Sequence, residues 1–293
     1  MNKIKKALIS VSDKTNLKDL LKILKKYGIE LISTGGTYKK IKKLKYNCVE
    51  VAKFTGSPEI LNGRVKTLHS KIYAGILSKR NNKSHLVDLK KNNYENIDLI
   101  VCNFYPFEKI LYETKNHEKI LENIDIGGPS MVRSAAKNYK DVVVITSPDQ
   151  YQELIREIQI NKGSTSLNFR KKMSLEAFSE TAYYDAIISN YLNNFSQKFF
   201  TKKKVFYGSL VEKLRYGENP HQEGYIYQKN IDNRINQIHG KQLSYNNYND
   251  ILSALRITKF LPRKKGTVIV KHANPCGVSI DKNNYKSFVK ALR

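Results

Sequence analysis

Through the first half of the chain, short apolar runs alternate with stretches of helical spacing. Ala7 to Val11 reads as a strand. Thr15 to Lys26 follows with Leu17, Leu20, Leu21, Ile23 and Leu24 on one side of a helical period. Glu30 to Ser33 reads as a second strand, Thr37 to Leu44 as a second helix and Val49 to Val51 as a short third strand. Ile97 to Cys102 and Val142 to Ile145 are further strands, each followed by a helical stretch. This alternation predicts an α/β fold over residues 1–160, a mostly parallel sheet with helices on both faces. Asn161 to Ser166 reads as a loop. Leu167 to Phe195, with Phe178, Ala182, Tyr183, Ala186 and Ile187, predicts a helical connector within 161–199. Phe199 to Lys204 is basic and reads as a linker into a further region, 200–293. There, Ile251 to Leu261 predicts a helix and Val268-Ile269-Val270 a strand.

A length of 293 residues suggests about two domains. No run approaches the ~20 apolar residues of a membrane span. The basic start, MNKIKKALISVSDK, has too short an apolar run for a secretion signal, so a cytoplasmic protein is expected. The three cysteines, Cys48, Cys102 and Cys276, are widely spaced and suggest no disulfide framework. Pro275-Cys276 is half of a P-C-x-x-C zinc signature, but Ser279 stands where the second cysteine would be, so no metal is expected. The net charge of +26 admits nucleic acid as a partner. The lysines are spread through every segment, however, and only Lys202 to Lys204 forms a triplet. Without a basic stripe interleaved with aromatics, the charge reads as solvated surface that also attracts small anionic substrates.

Six segments carry candidate chemistry. Ser10-Val11-Ser12-Asp13-Lys14 and Ser33-Thr34-Gly35-Gly36-Thr37 each follow a strand and precede a helix. A helix N-terminus offers unpaired N–H groups and partial positive charge to a phosphate; the alternative for the first is simple N-capping. Thr55 to His69 is a long loop that places Arg64, Lys66 and His69 close together, as an anion site or as a solvated basic loop. Asn123 to Asn138 contains Asp125, a Gly127-Gly128-Pro129 helix start and, two turns on, Lys137. N–H groups at Ile126 to Gly128 could hold an oxyanion; the alternative is a capped helix with a surface lysine. Cys102-Asn103-Phe104-Tyr105-Pro106-Phe107 lies at a strand end and reads as packing before catalysis. Finally, Lys271-His272 follows Val270 at what would be the C-terminal end of a parallel strand, where such sheets carry their chemistry.

SVSDKTNL, STGGT, TGSPEILNGRVKTLH, NFYPF, NIDIGGPSMVRSAAKN, LRYGENPHQ, GKQLSYNN and KHANPCG together resemble the signature blocks of a known family. These are the bifunctional purine-biosynthesis enzymes that join AICAR transformylase to IMP cyclohydrolase. The resemblance runs the length of the chain; one departure is Ser70, where the family usually has proline. It implies a methylglyoxal-synthase-like fold for residues 1–160 and closure of formyl-AICAR to IMP with loss of water. It makes Lys66, Tyr105, Asp125 and Lys137 the catalytic candidates, with Ile126 and Gly127 at the oxyanion. Ser12, Asp13, Lys14, Thr34, Gly35, Gly36 and Thr37 would hold the ribotide phosphate; Arg64, Val65, Thr67, Cys102 and Asn103 would surround base and ribose.

For residues 200–293 the resemblance implies the start of a cytidine-deaminase-like transformylase domain. Lys271 and His272 would act in formyl transfer, and Arg215 and Tyr216 would contact AICAR. Cyclisation needs no cofactor; 10-formyltetrahydrofolate is the co-substrate of the transfer. A homodimer is implied, with purine ribotides as the small-molecule partners. Family members continue well past the equivalent of Arg293, so this second domain is expected to be incomplete, with strand edges uncovered and little transfer activity. The rival readings are a methylglyoxal-synthase-like lyase and a non-catalytic domain that senses phosphorylated ligands.

Overall fold

The computed structural model describes residues 2–195, 202–229, 235–262 and 265–293. They divide into two compact units, Met1–Val205 and Phe206–Arg293.

The first unit is built on a five-stranded parallel sheet. Its order is Val49–Glu50, Glu30–Ser33, Lys6–Val11, Leu99–Asn103 and Val143–Ile145. The central strands are apolar without alternation, as a strand covered on both faces must be. Ala7, Leu8, Ile9, Leu99 and Ile100 have no exposure at all, and Val143 to Ile145 have next to none. Helix Leu17–Lys26 buries the five apolar residues of its stripe. It starts two residues later than the pattern suggests, because Asn16 adopts a left-handed conformation at φ 55°. Val51 opens a helix, Val51–Thr55, and does not extend the edge strand.

Helix Leu167–Phe195 has the bounds its pattern predicts. It is no free connector, since it packs on helix Gly127–Lys137 and strand Val143–Ile145 within the first unit. Buried Arg170 fixes its start, donating to the carbonyls of Tyr139, Lys140 and Thr165. One turn on, Ser174 Oγ donates to the Ala136 carbonyl. The contact units therefore cut the chain differently from the expected 1–160, 161–199 and 200–293; residues 199 and 200 lie outside the described residues.

The second unit departs from the expected parallel arrangement around Lys271. Thr267–Lys271 pairs antiparallel with Asn274–Ser279, with a register irregularity between Ile269 and Val270. His272 and Ala273, at φ 52° and 60°, form the two-residue turn between them. Two successive left-handed residues match the twist of a tight hairpin, so Lys271-His272 sits at a hairpin end. Ser209–Lys213 and Tyr225–Gln228 form a second antiparallel pair. Helices Tyr245–Thr258 and Asn284–Leu292 pack on the Thr267–Ser279 hairpin. Among the described residues of this unit the buried apolar side chains are Leu214, Tyr248 and Ala291.

Candidate functional site

The carboxyl ends of strands Lys6–Val11, Glu30–Ser33 and Leu99–Asn103 open on one cavity of about 630 Å³. In an open parallel sheet this edge is where loops can gather functional groups without disturbing the core. Ser12, Lys14, Thr34, Gly36, Thr37, Arg64, Lys66, Thr67, Asn103, Tyr105, Asp125, Ile126 and Gly127 all line it.

Side chains tie the two phosphate-type turns together. Ser10 Oγ and Thr34 Oγ1 are 2.9 Å apart. Thr37 Oγ1 accepts from the Val11 N–H at 3.0 Å and donates to the Val11 carbonyl at 2.9 Å. Because Thr34 makes no capping bond to helix Gly35–Lys43, the first turn of that helix faces the cavity without a side-chain acceptor. A Cβ on Gly35, at φ 37°, would stand 3.5 Å from Lys66 Nζ. A cation against the positive end of a helix is unfavourable by itself and becomes favourable when an anion sits between.

The Ser12-Asp13-Lys14 turn is less free. Asn103 Oδ1 accepts from the N–H groups of Ser12 and Asp13, at 2.6 and 2.9 Å. Asn103 Nδ2 donates to the Asp13 carbonyl at 2.9 Å, and Lys14 Nζ to that of Ser12 at 3.0 Å. Asp13 is exposed and closes a local turn ahead of helix Leu17–Lys26, which has Asn16 at its N-cap and no side-chain cap bond. It accepts from Thr15 N at 2.8 Å, and its bonds to Thr15 hold the carboxyl below its usual range.

Across the cavity stands helix Gly127–Lys137. Asp125 Oδ1 accepts from the Gly128 N–H at 2.8 Å, so this donor is unavailable to an oxyanion and Ile126 and Gly127 remain. A side chain at either glycine would force a neighbouring side chain of the site to shift. A Cβ on Gly127 would lie 2.4 Å from Thr67 Oγ1, and one on Gly128 2.5 Å from Asp125 Oδ2. Burial pushes the Asp125 carboxyl up; the Gly128 and Tyr105 N–H groups and the Lys66 charge oppose this. Burial and the nearby Asp125 charge raise the Tyr105 phenol, which remains 42% exposed.

Besides Asp13, four predicted residues of this unit do not line this cavity. Lys137 closes its helix, ten residues and about 15 Å of axial rise from Gly127. It is exposed outside the cavity, because eleven helical residues run away from the sheet edge. Cys102 is 1% exposed and does not line the cavity; burial and the nearby Asp125 charge push its thiol up. Gly35 and Val65 line a smaller cavity of about 180 Å³ that shares Thr34 and Lys66 with the first.

Of the lining residues outside the expected set, two make side-chain contacts across long stretches of sequence. Ser10 belongs to the first phosphate-type turn, and its bond to Thr34 spans 24 residues. Glu122 pairs with Arg64 through Nε at 3.2 Å and through Nη2, across 58 residues. No local pattern reports such a pair.

In the second unit the Arg215 guanidinium lies 4.8 Å from the Tyr216 ring centroid, and its Nη2 donates to Tyr216 Oη at 3.2 Å. Arg215 N donates to the Leu243 carbonyl and Tyr245 N to that of Tyr216, which joins LRYGENPHQ to GKQLSYNN. Lys271 and His272 are exposed, and Asp250 Oδ1 accepts from Ala273 N at 2.7 Å beside them. Among the described residues no group of three or more His, Cys, Asp or Glu could hold a metal, and no helix is long and apolar enough to cross a membrane.

Residues 135–293 match the AICARFT/IMPCHase bienzyme family, and residues 16–130 match the MGS-like domain. A relative from Thermoanaerobacter sp. (strain X514), named bifunctional purine biosynthesis protein PurH, is 45% identical over 292 residues, 98% of this chain and 57% of the relative. A Prochlorococcus marinus (strain MIT 9515) relative of the same name is 47% identical over 301 residues, again 98% and 57%. This chain thus spans 57% of the length of these relatives. The crystal structure of ForH matches with a TM-score of 0.58 and 28% identity, covering 65% of this chain and 100% of that one.

Proposed function

The chain belongs to the AICARFT/IMPCHase bienzyme family, and from that premise we propose that its first unit closes formyl-AICAR to IMP. The observation that carries this reading is one cavity with an uncapped helix end beside Lys66 on one wall and Asp125 with Gly127 on the other. The first fits a phosphate and the second fits acid–base chemistry at the far end of the same small molecule. We assign the cyclohydrolase to 1–160 with the 161–199 helix as its support, and the transformylase portion to 200–293.

In this reading Lys14, Thr34, Gly36 and Thr37 hold the ribotide phosphate, with Ser12 at its edge. Arg64, Thr67 and Asn103 surround the base and ribose. The carboxamide nitrogen attacks the formyl carbon of the same molecule, forming the C–N bond, and the formyl oxygen becomes an oxyanion. Asp125 takes the proton that the nitrogen sheds; its burial-raised carboxyl is better matched to that task than an ordinary aspartate. The Ile126 and Gly127 N–H groups face the oxyanion, where one such donor is worth roughly 3–4 kcal/mol. Breaking the C–O bond then releases the oxygen as water. Its two protons balance the one lost from the carboxamide and the one lost from the formamide nitrogen. Lys66 and Tyr105 deliver protons to the departing oxygen. Lys137, outside the cavity, has no step here.

For the second unit we propose the AICAR contacts of a formyl transfer from 10-formyltetrahydrofolate, with Arg215, Tyr216, Lys271 and His272 as the residues concerned. Purine ribotides as ligands, a homodimer and a cytoplasmic setting belong to the same proposal.

The test is an assay of this 293-residue chain with formyl-AICAR, following IMP, and in parallel with AICAR and 10-formyltetrahydrofolate. IMP from formyl-AICAR is the expected result. No IMP from it, under conditions where the chain binds IMP, would replace the cyclohydrolase reading with that of a ligand-sensing domain.

A further inference from the structure

We propose that Tyr184, on helix Leu167–Phe195, is a positioning residue that grips both catalytic loops of the cavity at once. This inference rests on the cyclohydrolase reading for its kinetic consequences, though not for its geometry.

Tyr184 Oη accepts from the Asp125 backbone N–H at 2.8 Å and lies 3.3 Å from the Asn123 carbonyl, to which it donates. One hydroxyl thus spans the turn that delivers Asp125. The ring of the same residue packs on the other loop. Its centroid is 5.0 Å from that of Phe104 and 6.1 Å from that of Phe107, the residues either side of Tyr105-Pro106. Phe104 and Phe107 are buried, so the ring fixes the base of the loop whose tip carries Tyr105 into the cavity.

Tyr184 itself is 5% exposed. Burial pushes its phenol up to about 12, which keeps the hydroxyl protonated and able to donate and accept together. The Asp125 carboxylate is held by Gly128 N of its own helix, with the Tyr105 N–H beside it, and neither contact holds the backbone that leads into Asp125. The Tyr184 bonds fix the turn relative to the rest of the unit. A catalytic group misplaced by about 1 Å can cost on the order of 10²-fold, so a residue that touches no substrate can still govern the rate.

The test is Tyr184→Phe, which keeps the ring and deletes the hydroxyl, compared with Ser174→Ala. The latter deletes a buried bond of the same helix, to the Ala136 carbonyl, away from the Asp125 turn. Backbone amide exchange is read at Asp125 and at Val143 to Ile145. Tyr184→Phe should accelerate exchange at Asp125 by about tenfold or more while the strand amides keep their protection; Ser174→Ala should leave Asp125 unchanged. Cyclisation of formyl-AICAR by Tyr184→Phe should lose about tenfold in kcat with KM within about twofold, and the limb of its pH profile that reports Asp125 should move. Unchanged Asp125 exchange in Tyr184→Phe overturns the proposal, as does equal acceleration in both variants. If the wild-type chain forms no IMP, the cyclohydrolase reading fails while the exchange result still judges the role of Tyr184.

Discussion

At the scale of single residues, Asp125 carries the most specific expectation. Its carboxyl is displaced upward, chiefly by burial. A folded-state pKa above the unfolded one means that the native state resists ionisation. The stability this group contributes is full below the unfolded pKa and is lost as pH rises through the folded pKa. At neutral pH the folded protein therefore bears the cost of a buried charge. Asp125→Asn removes that charge while its amide oxygen can still accept from Gly128 N–H. The variant should melt above the wild type at pH 7, with the gap closing as pH falls toward the ordinary carboxyl range. Its cyclisation should fall by roughly 10²–10⁴-fold. Melting curves across pH decide the first point, and a gap that widens on acidification would contradict it. Stability gained where activity is lost is the signature of a group kept for its chemistry.

At the scale of elements, the anion site is a property of how helix Gly35–Lys43 begins. Its N-cap Thr34 spends its hydroxyl on Ser10 and leaves the first turn open, with Lys66 alongside. Inorganic phosphate should therefore raise the melting temperature of the wild type. A ligand at about 100 times its Kd contributes about 2.7 kcal/mol. Lys66→Met should keep little of that shift, because only the helix N–H groups and Lys14 would remain; equal shifts in the two proteins would place phosphate elsewhere. Much of this was legible in the sequence, since a strand, a Ser/Thr-Gly-Gly turn and a helix announce themselves by local pattern. Short helices such as Phe107–Glu113 and His117–Glu122 were not, because two turns are too few to establish a period. The hairpin at Lys271 was hidden because His272 and Ala273 take left-handed conformations with neither Gly nor Asn to signal them. Spacing along a helix likewise could not tell that Lys137 would be absent from the cavity lining, or that Glu122 would meet Arg64.

At the scale of the whole molecule, the two units differ in how much holds them. The first has a parallel sheet covered on both faces, whereas the described residues of the second bury only Leu214, Tyr248 and Ala291 among their apolar side chains. Local stability follows buried apolar contact, so calorimetry should show the second unit unfolding first and separately. Gly277 gives a way to remove that unit alone. A Cβ there would stand 1.8 Å from the Ala291 carbonyl oxygen, a backbone atom that cannot swing aside. Overpacking of this kind costs typically about 1–3 kcal/mol and more where backbone must move, against a core with little to spare. Gly277→Ala should abolish the lower transition and leave the upper one in place. It should also leave cyclisation within about twofold of wild type, since every residue assigned to that reaction lies in Met1–Val205. Loss of cyclisation together with the lower transition would mean that the second unit supports the first site, and the assignment of the reaction to the first unit alone would have to be given up.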